Sequence, residues 1–163
     1  MASLRGKLLR ISLWDGIGLL VMGFGSLAAA SIWRDPVGAM VGAALVTLGG
    51  IELRGRRMLQ EGNPRATGWL VSTQVGLMLV ILSYGARSLA HPPTINLSQV
   101  PPELLMNLEA LPAGDLNSMI RPMVQLVYWL LMLVSVIYQG NMAVYYLRKT
   151  PLALAKPPPL PPV

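Results

Sequence analysis

Four long apolar stretches divide the chain, at about residues 11–33, 37–53, 68–89 and 122–148. An α-helix needs ~20 residues to cross a ~30 Å hydrocarbon layer, and each stretch comes close to or exceeds that length. Only 12% of the residues are charged, about half of the ~25% that is typical of a soluble domain. The sequence therefore predicts an all-α, polytopic integral membrane protein, a bundle of four transmembrane helices with a short helical segment outside the membrane.

The basic residues indicate the orientation of these helices. Ten of the 13 lysines and arginines lie in the amino end 1–10, the loop 54–66 and the carboxyl end from residue 148. Because lysine and arginine concentrate in cytoplasmic loops, both termini and this loop are expected to be cytoplasmic. A bacterial inner membrane is the expected location. The aromatic residues near the span ends fit interfacial depth: Trp14, Trp33, Trp69, Tyr84, Tyr145 and Tyr146.

The first stretch also admits a second interpretation, a cleaved signal peptide. A basic start, an apolar run and the small residues at 28–30 match that pattern. Asp15 inside the apolar run and the absence of a polar region before Trp33 favour a transmembrane helix instead. The remaining spans keep their orientation in either case.

Small residues in the first two spans predict a close helix contact. Gly38 and Gly42 form a GxxxG pattern in the second span, and Gly23 and Gly25 lie in the first. In lipid, small residues allow two helix backbones to approach closely, either within one subunit or between two copies. Asp35 is expected to cap the second helix, and the glycine at position 62 to end it.

The segments outside the spans are expected to be short. Residues 90–121 form an external segment whose part at 101–111 predicts a short amphipathic helix, lying on the membrane surface or capping the bundle. A break at 112–114 and a second short helix to residue 121 are expected to follow. The tail 149–163 is expected to be cytoplasmic, with five prolines in its last eight residues giving an extended polyproline II conformation.

Two acidic residues lie within the spans. An ionisable group in lipid is a candidate for function, because placing a charge there is costly. For Asp15 the alternatives are a salt bridge to Arg10, Arg56 or Arg57, and a proton or cation relay. Glu52 lies four residues before Arg56, which predicts an ion pair along one helix face. A cation site between the two acids is disfavoured by the neighbouring arginines.

Neutral polar residues inside the spans predict hydrogen bonds between helices, with a pore lining as the alternative. They are Gln74, Gln125, Gln139 and Asn141. Arg54, Arg56 and Arg57 are expected to contact lipid head groups. The net charge of +6 is explained in this way, and nucleic acid is not an expected partner because no basic patch is interleaved with stacking aromatics.

The residue types present exclude several chemistries. The chain has no cysteine and a single histidine, His91, so thiolate chemistry and histidine-rich metal sites are excluded. No metalloprotease or phosphate-loop motif occurs. We therefore expect no enzyme activity, no catalytic residue, no metal and no cofactor.

These observations leave the function open between classes. The leading hypothesis is a structural or accessory subunit that associates through helix packing, in a homo-oligomer or a larger membrane complex, with lipids as further partners. The alternative is a homo-oligomeric channel or transporter whose path is lined by the fourth helix. A membrane-surface sensor using the 101–111 segment is a third hypothesis.

Overall fold

The computed structural model describes residues 4–91 and 113–155, with the backbone only over 113–120. The described residues form four α-helices and no strand: α1 Leu4–Trp33, α2 Pro36–Glu61, α3 Ala66–Ala90 and α4 Ala113–Ala155. Each helix contains a stretch that is long and apolar enough to cross a membrane. The predicted all-α membrane protein with four spanning helices is therefore confirmed.

The helices are longer than the predicted spans. α1 begins at Leu4, so most of the expected amino-terminal segment 1–10 forms its first turns. α4 begins at Ala113 and continues to Ala155, through Pro122 and Pro151. The sequence predicted a break at 112–114 and then a separate short helix. From residue 113 onward that prediction is wrong, because one continuous helix begins there. A proline removes one backbone donor, but a long apolar helix tolerates that loss. The predicted helix at 101–111 and the tail from 156 lie outside the described residues.

The turns between the first three helices have the predicted chemistry. Arg34 takes a positive φ of 52°, and the Asp35 carboxylate then accepts a hydrogen bond of 2.9 Å from the backbone N–H of Val37. This confirms Asp35 as the N-cap of α2, with Pro36 in the first turn. At the other end, Gly62 adopts the left-handed conformation with φ 80° and closes the helix.

α1 and α2 pack against each other through glycines. A Cβ atom placed on Gly23 would lie 2.8 Å from the Val46 backbone nitrogen and 2.9 Å from the Gly42 carbonyl oxygen. One on Gly42 would lie 2.9 Å from the Gly23 carbonyl oxygen. The two backbones are therefore in direct contact, which only glycine permits. The small residues of the second span pack within the subunit, which is one of the two predicted alternatives.

The other two predicted packing glycines behave differently from each other. Gly38 lies against the capping residue Asp35 and the side chain of Ala30, and its carbonyl accepts a hydrogen bond of 3.0 Å from Ser26. Gly25 faces outward, and a Cβ atom there would meet nothing within 4 Å. Gly25 therefore has no part in the α1–α2 contact.

All four helices contribute to one compact unit, Met1–Val80 with Ser135–Val163. Its apolar core lies toward the end that carries the chain's amino terminus and the α2–α3 turn. The core residues are Leu8, Leu59, Ala66, Leu70, Tyr146 and Ala153.

A second compact unit, Ile81–Val134, joins the end of α3 to the first part of α4. The rings of Tyr84 and Tyr128 meet edge to face with centroids 6.0 Å apart. Met132 is buried and packs over Gly85, where the absence of a side chain makes room for its sulfur. Close packing of these two helices therefore depends on a glycine and an aromatic pair.

Candidate intramembrane site

Glu52 lies in the interior of the first unit. It shares one face of α2 with Gly55 and Leu59, all of which are buried, because positions three and seven apart lie on one side of a helix. The Glu52 side chain is 0% exposed. Its Oε1 accepts a hydrogen bond of 2.9 Å from the Tyr146 hydroxyl of α4. Its Oε2 has no hydrogen-bond partner among the described residues.

The predicted ion pair between Glu52 and Arg56 is wrong. The Arg56 guanidinium instead donates from Nε to the Leu9 carbonyl oxygen of α1 at 3.1 Å. Arg57 points outward and pairs with Glu61 at 3.2 Å. That is the only ion pair among the described residues. The Glu52 carboxylate therefore has a tyrosine donor but no cationic partner, because α2 turns it toward the other helices.

Asp15 of α1 lies close to the same place. Its carboxylate is near enough to Glu52 and Tyr146 to interact with both. The expected salt bridge from Asp15 to Arg10, Arg56 or Arg57 is not formed, and its Oδ2 has no hydrogen-bond partner in the described part of the chain. Arg56 is hydrogen-bonded to α1 and Arg57 is paired with Glu61, so neither of these arginines neutralises the two acids.

Buried polar side chains of α1, α3 and α4 lie in the same compact unit as the two acids. Those that are at most 7% exposed in this unit, apart from Glu52, are Ser12, Thr73, Gln74, Gln139, Thr150 and Ser135. Thr73 satisfies its hydroxyl by donating to the Trp69 carbonyl at 3.1 Å. The Ser12 hydroxyl and the Gln139 Oε1 have no partner among the described residues. Buried polar atoms are normally hydrogen-bonded, so this group of unpaired atoms needs an explanation.

A cavity of about 220 Å³ lies beside Asp15. Its polar lining comes from Asp15, Gln74 and Gln139. Two aromatic residues, Trp14 and Tyr138, also line it. The rest of its wall is apolar and includes the side chains of Leu19, Met22 and Leu77. The cavity therefore combines a carboxylate and amide groups with aromatic and aliphatic surface.

The four predicted neutral polar residues divide into two groups. Gln74 and Gln139 are buried, 2% and 7% exposed, and meet at this cavity. Asn141 is exposed, and Gln125 is half-buried in the Ile81–Val134 unit. The structure thus brings Gln74 and Gln139 together with Asp15, whereas Asn141 is not among the residues that line this cavity.

Tyr146 belongs to this site, although the sequence did not predict it there. Its position near a span end predicted an interfacial aromatic, but it is 0% exposed and hydrogen-bonded to Glu52. A signal was present in α4, since Ser135, Gln139, Met142 and Tyr146 follow one another at spacings of three and four. Such spacing places residues on one helix face, and here that face is polar.

Most basic residues of this unit, with the exception of Arg34 in the α1–α2 turn, lie toward one end and have varied roles. Arg54 is exposed, with its guanidinium 4.8 Å from the centre of the Trp69 ring, a cation–π contact. Arg57 is exposed, whereas Arg56 is half-buried on α1. Arg5 donates to the carbonyl oxygens of Leu59 and Gln60, at 2.9 and 2.7 Å, at the carboxyl end of α2. Arg54 and Arg57 are therefore exposed as head-group contacts require, while Arg56 and Arg5 tie α1 to α2.

The donor set is poor for a metal ion. Within the described residues, no group of three or more histidine, cysteine or acidic side chains is placed to hold one.

No family model matches the chain, and no curated protein or solved structure is significantly similar to it.

Proposed function

We propose that this protein is a small transporter of the bacterial inner membrane, with both termini cytoplasmic, that binds and moves a cation, the proton included. The observation that carries the proposal is the Glu52 carboxylate, 0% exposed and with no cationic partner in the described chain. The orientation is supported by the ten basic residues on one side of the spans. No enzyme activity is part of the proposal.

The physical reason is the cost of an unpaired carboxylate in a membrane. A buried charge is expensive unless it is paired, so the site is stable only with a proton or a cation on it. One tyrosine donor offsets part of that cost, and a second acid beside Glu52 increases it. Such a site is more stable when a proton or a cation is bound to it than when it is empty. Binding and release therefore favour different conformations, which is how a transporter couples a cation to a conformational change.

The fourth helix supports transport over a purely structural role. It supplies Tyr146 to Glu52 and Gln139 to the cavity beside Asp15. The channel or transporter hypothesis also assigned the transport path to the fourth helix. We propose a site within one subunit instead, so the proposal does not require an oligomer.

Flux measurements on reconstituted protein test the proposal. Purified protein is reconstituted into liposomes that contain a pH-sensitive dye, and pH, Na⁺ or K⁺ gradients are imposed with and without a membrane potential. We expect flux above that of protein-free liposomes. Glu52→Gln is expected to reduce it to the background rate, because an amide keeps the volume but carries no charge.

Glu61→Gln is the matched control, since it removes an exposed acid from the same helix. Its flux is expected to equal that of the wild type. Wild-type flux no greater than the liposome background, or equal flux in the Glu52→Gln and Glu61→Gln variants, would refute the proposal. Circular dichroism and size-exclusion elution of each variant establish that it is folded.

An accessory subunit that associates through helix packing is the second candidate. It is supported by Gly25 and Gly18 of α1, which lie seven residues apart and whose Cβ positions meet nothing within 4 Å. Such open glycines suit a helix of another subunit or a second copy. Crosslinking in native membranes followed by mass measurement of the assembly tests this candidate, and a chain that remains monomeric and uncrosslinked excludes it.

A further inference from the structure

We propose that the cation carried by this protein is the proton, and that the Tyr146 hydroxyl passes it between the carboxyl groups of Asp15 and Glu52. The inference rests on the proposed function and deepens it by naming the cation and its path through the site. The two can fail separately, because a flux of Na⁺ or K⁺ that depends on Glu52 would satisfy the proposed function alone.

The surroundings of Glu52 accommodate a proton but not a metal ion. Glu52 is fully buried, and its Oε2 has neither accessible surface nor a hydrogen-bond partner among the described residues. A metal ion needs several oxygen ligands arranged around it, and within the described chain no group of three or more acidic, histidine or cysteine side chains is placed to hold one. A proton adds to a lone pair of a carboxylate oxygen and needs no further room. The enclosed position of Glu52 therefore favours the proton.

Tyr146 connects Glu52 with the second acid. Its hydroxyl donates a hydrogen bond of 2.9 Å to the Glu52 Oε1, and the Asp15 carboxylate interacts with the same hydroxyl. A hydroxyl has one donor and two acceptor lone pairs. Tyr146 can therefore donate to Glu52 while it accepts a hydrogen bond from a protonated Asp15.

The transfer step is a shift of two protons along this path. In the starting state Asp15 is protonated and Glu52 is ionised. The Asp15 O–H bond breaks as its proton bonds to the Tyr146 oxygen, and the Tyr146 O–H bond breaks as that proton bonds to the Glu52 Oε1. Tyr146 is neutral before and after the step, Asp15 becomes a carboxylate, and Glu52 becomes a neutral acid. One proton has then moved from α1 to α2.

The two acids differ in their access to the surroundings. Asp15 is half-buried and lines the cavity of about 220 Å³, whereas Glu52 is fully buried. In this conformation Asp15 is therefore the acid through which the pair exchanges protons with its surroundings, and Glu52 is the acid that holds a proton inside the protein.

The other described groups that interact with the two acids are neutral. α3 presents the Thr73 hydroxyl to Glu52, and Tyr138 of α4 interacts with Asp15. Arg56 and Arg57 are bonded elsewhere. Because no cation balances the two buried acids, a proton on one of them relieves the cost of their charge.

Proton uptake by liposomes in sodium-free buffer tests the relay. The full chain is reconstituted with a trapped pH dye, and K⁺ with valinomycin sets an inside-negative potential. We expect proton uptake by the wild type. Tyr146→Phe removes the hydroxyl but keeps the ring, and it is expected to slow uptake by about tenfold or more. Tyr145→Phe, which changes the neighbouring tyrosine, is the matched control and is expected to keep the wild-type rate.

Infrared difference spectra between acidic and alkaline buffer test where the proton is held. Glu52→Gln is expected to remove a protonated-carboxyl band that persists in Glu61→Gln. In Tyr146→Phe the same band is expected to move to higher frequency, because the Glu52 carbonyl loses a hydrogen bond. Spectra in which Glu52→Gln removes no such band overturn the proposal.

Glu52→Asp keeps the test decisive if Tyr146→Phe does not fold. It retains a carboxyl group but withdraws it from the Tyr146 hydroxyl, so proton uptake is expected to fall, whereas Glu61→Asp keeps the wild-type rate. Wild-type uptake in folded Tyr146→Phe or Glu52→Asp overturns the relay. A flux of Na⁺ or K⁺ that depends on Glu52, without proton flux, also overturns it but leaves the proposed function standing. No flux of H⁺, Na⁺ or K⁺ refutes both.

Discussion

Replacing Gly23 by alanine is expected to destabilise the protein, whereas replacing Gly25 by alanine is not. A Cβ atom on Gly23 lies 2.8 Å from the Val46 backbone nitrogen and 2.9 Å from the Gly42 carbonyl oxygen. Backbone atoms of a facing helix do not move aside as the end of a flexible side chain does. Relief therefore requires α1 and α2 to separate, which loses packing along their contact.

The comparison with Gly25 isolates that cost. Both glycines lie inside α1, so the gain in helix propensity from glycine to alanine, up to about 1 kcal/mol, is common to both variants and cancels. The difference is the cost of overpacking, about 1–3 kcal/mol. We expect Gly23→Ala to have a lower free energy of unfolding than Gly25→Ala by that amount.

Unfolding in mixed micelles measures the difference. Each variant is titrated with sodium dodecyl sulfate and its helix content is followed by circular dichroism. Equal free energies of unfolding, within about 0.5 kcal/mol, would show that the glycine contact does not hold α1 against α2. A greater loss in Gly25→Ala would instead indicate that Gly25 packs against another subunit, as the accessory-subunit candidate requires.

Three further substitutions test other contacts by the same titration. Tyr146→Phe removes the donor to Glu52 and is expected to cost about 1–3 kcal/mol; an equal cost in a Glu52→Leu background, where no acceptor is left, would refute that hydrogen bond. Asp35→Ala removes the cap of α2 and is expected to cost about 0.5–2 kcal/mol. Gly62→Ala places an alanine at a φ of 80°, a strained conformation, and is expected to cost about 1–2 kcal/mol. No change in the free energy of unfolding would show that the turn relaxes.

Local chemistry made much of the fold predictable. The ends of α2 follow from Asp35, Pro36 and Gly62, whose effects extend over one turn and depend on near neighbours. The existence of four spans follows from apolar length alone. Helix ends were less predictable where a proline was present, since α4 continues through Pro122 and Pro151. The effect of a proline inside a helix depends on what surrounds it.

The candidate site was predictable in its residue types but not in its pairing. Asp15, Glu52, Gln74 and Gln139 are recognisable from the sequence because polar groups within apolar runs are rare. Their partners were assigned by sequence spacing, which gave Arg56 to Glu52. The structure gives Tyr146 instead, 94 residues away. Spacing along one helix identifies residues that can meet, but the rotation of the helix decides which way they face.

The class of the protein follows from the sequence, because hydrophobicity and helix length are properties of each segment alone. The capping of α2 and the distribution of positive charge between the two sides of the spans follow from it as well. The tertiary structure was needed to bring Asp15 and Glu52 together without a cationic partner, and to place Asp15 beside a cavity that Gln74 and Gln139 also line. That arrangement depends on how four helices are rotated about their axes, and their rotation is set by packing, including the backbone contact of Gly23 with Gly42.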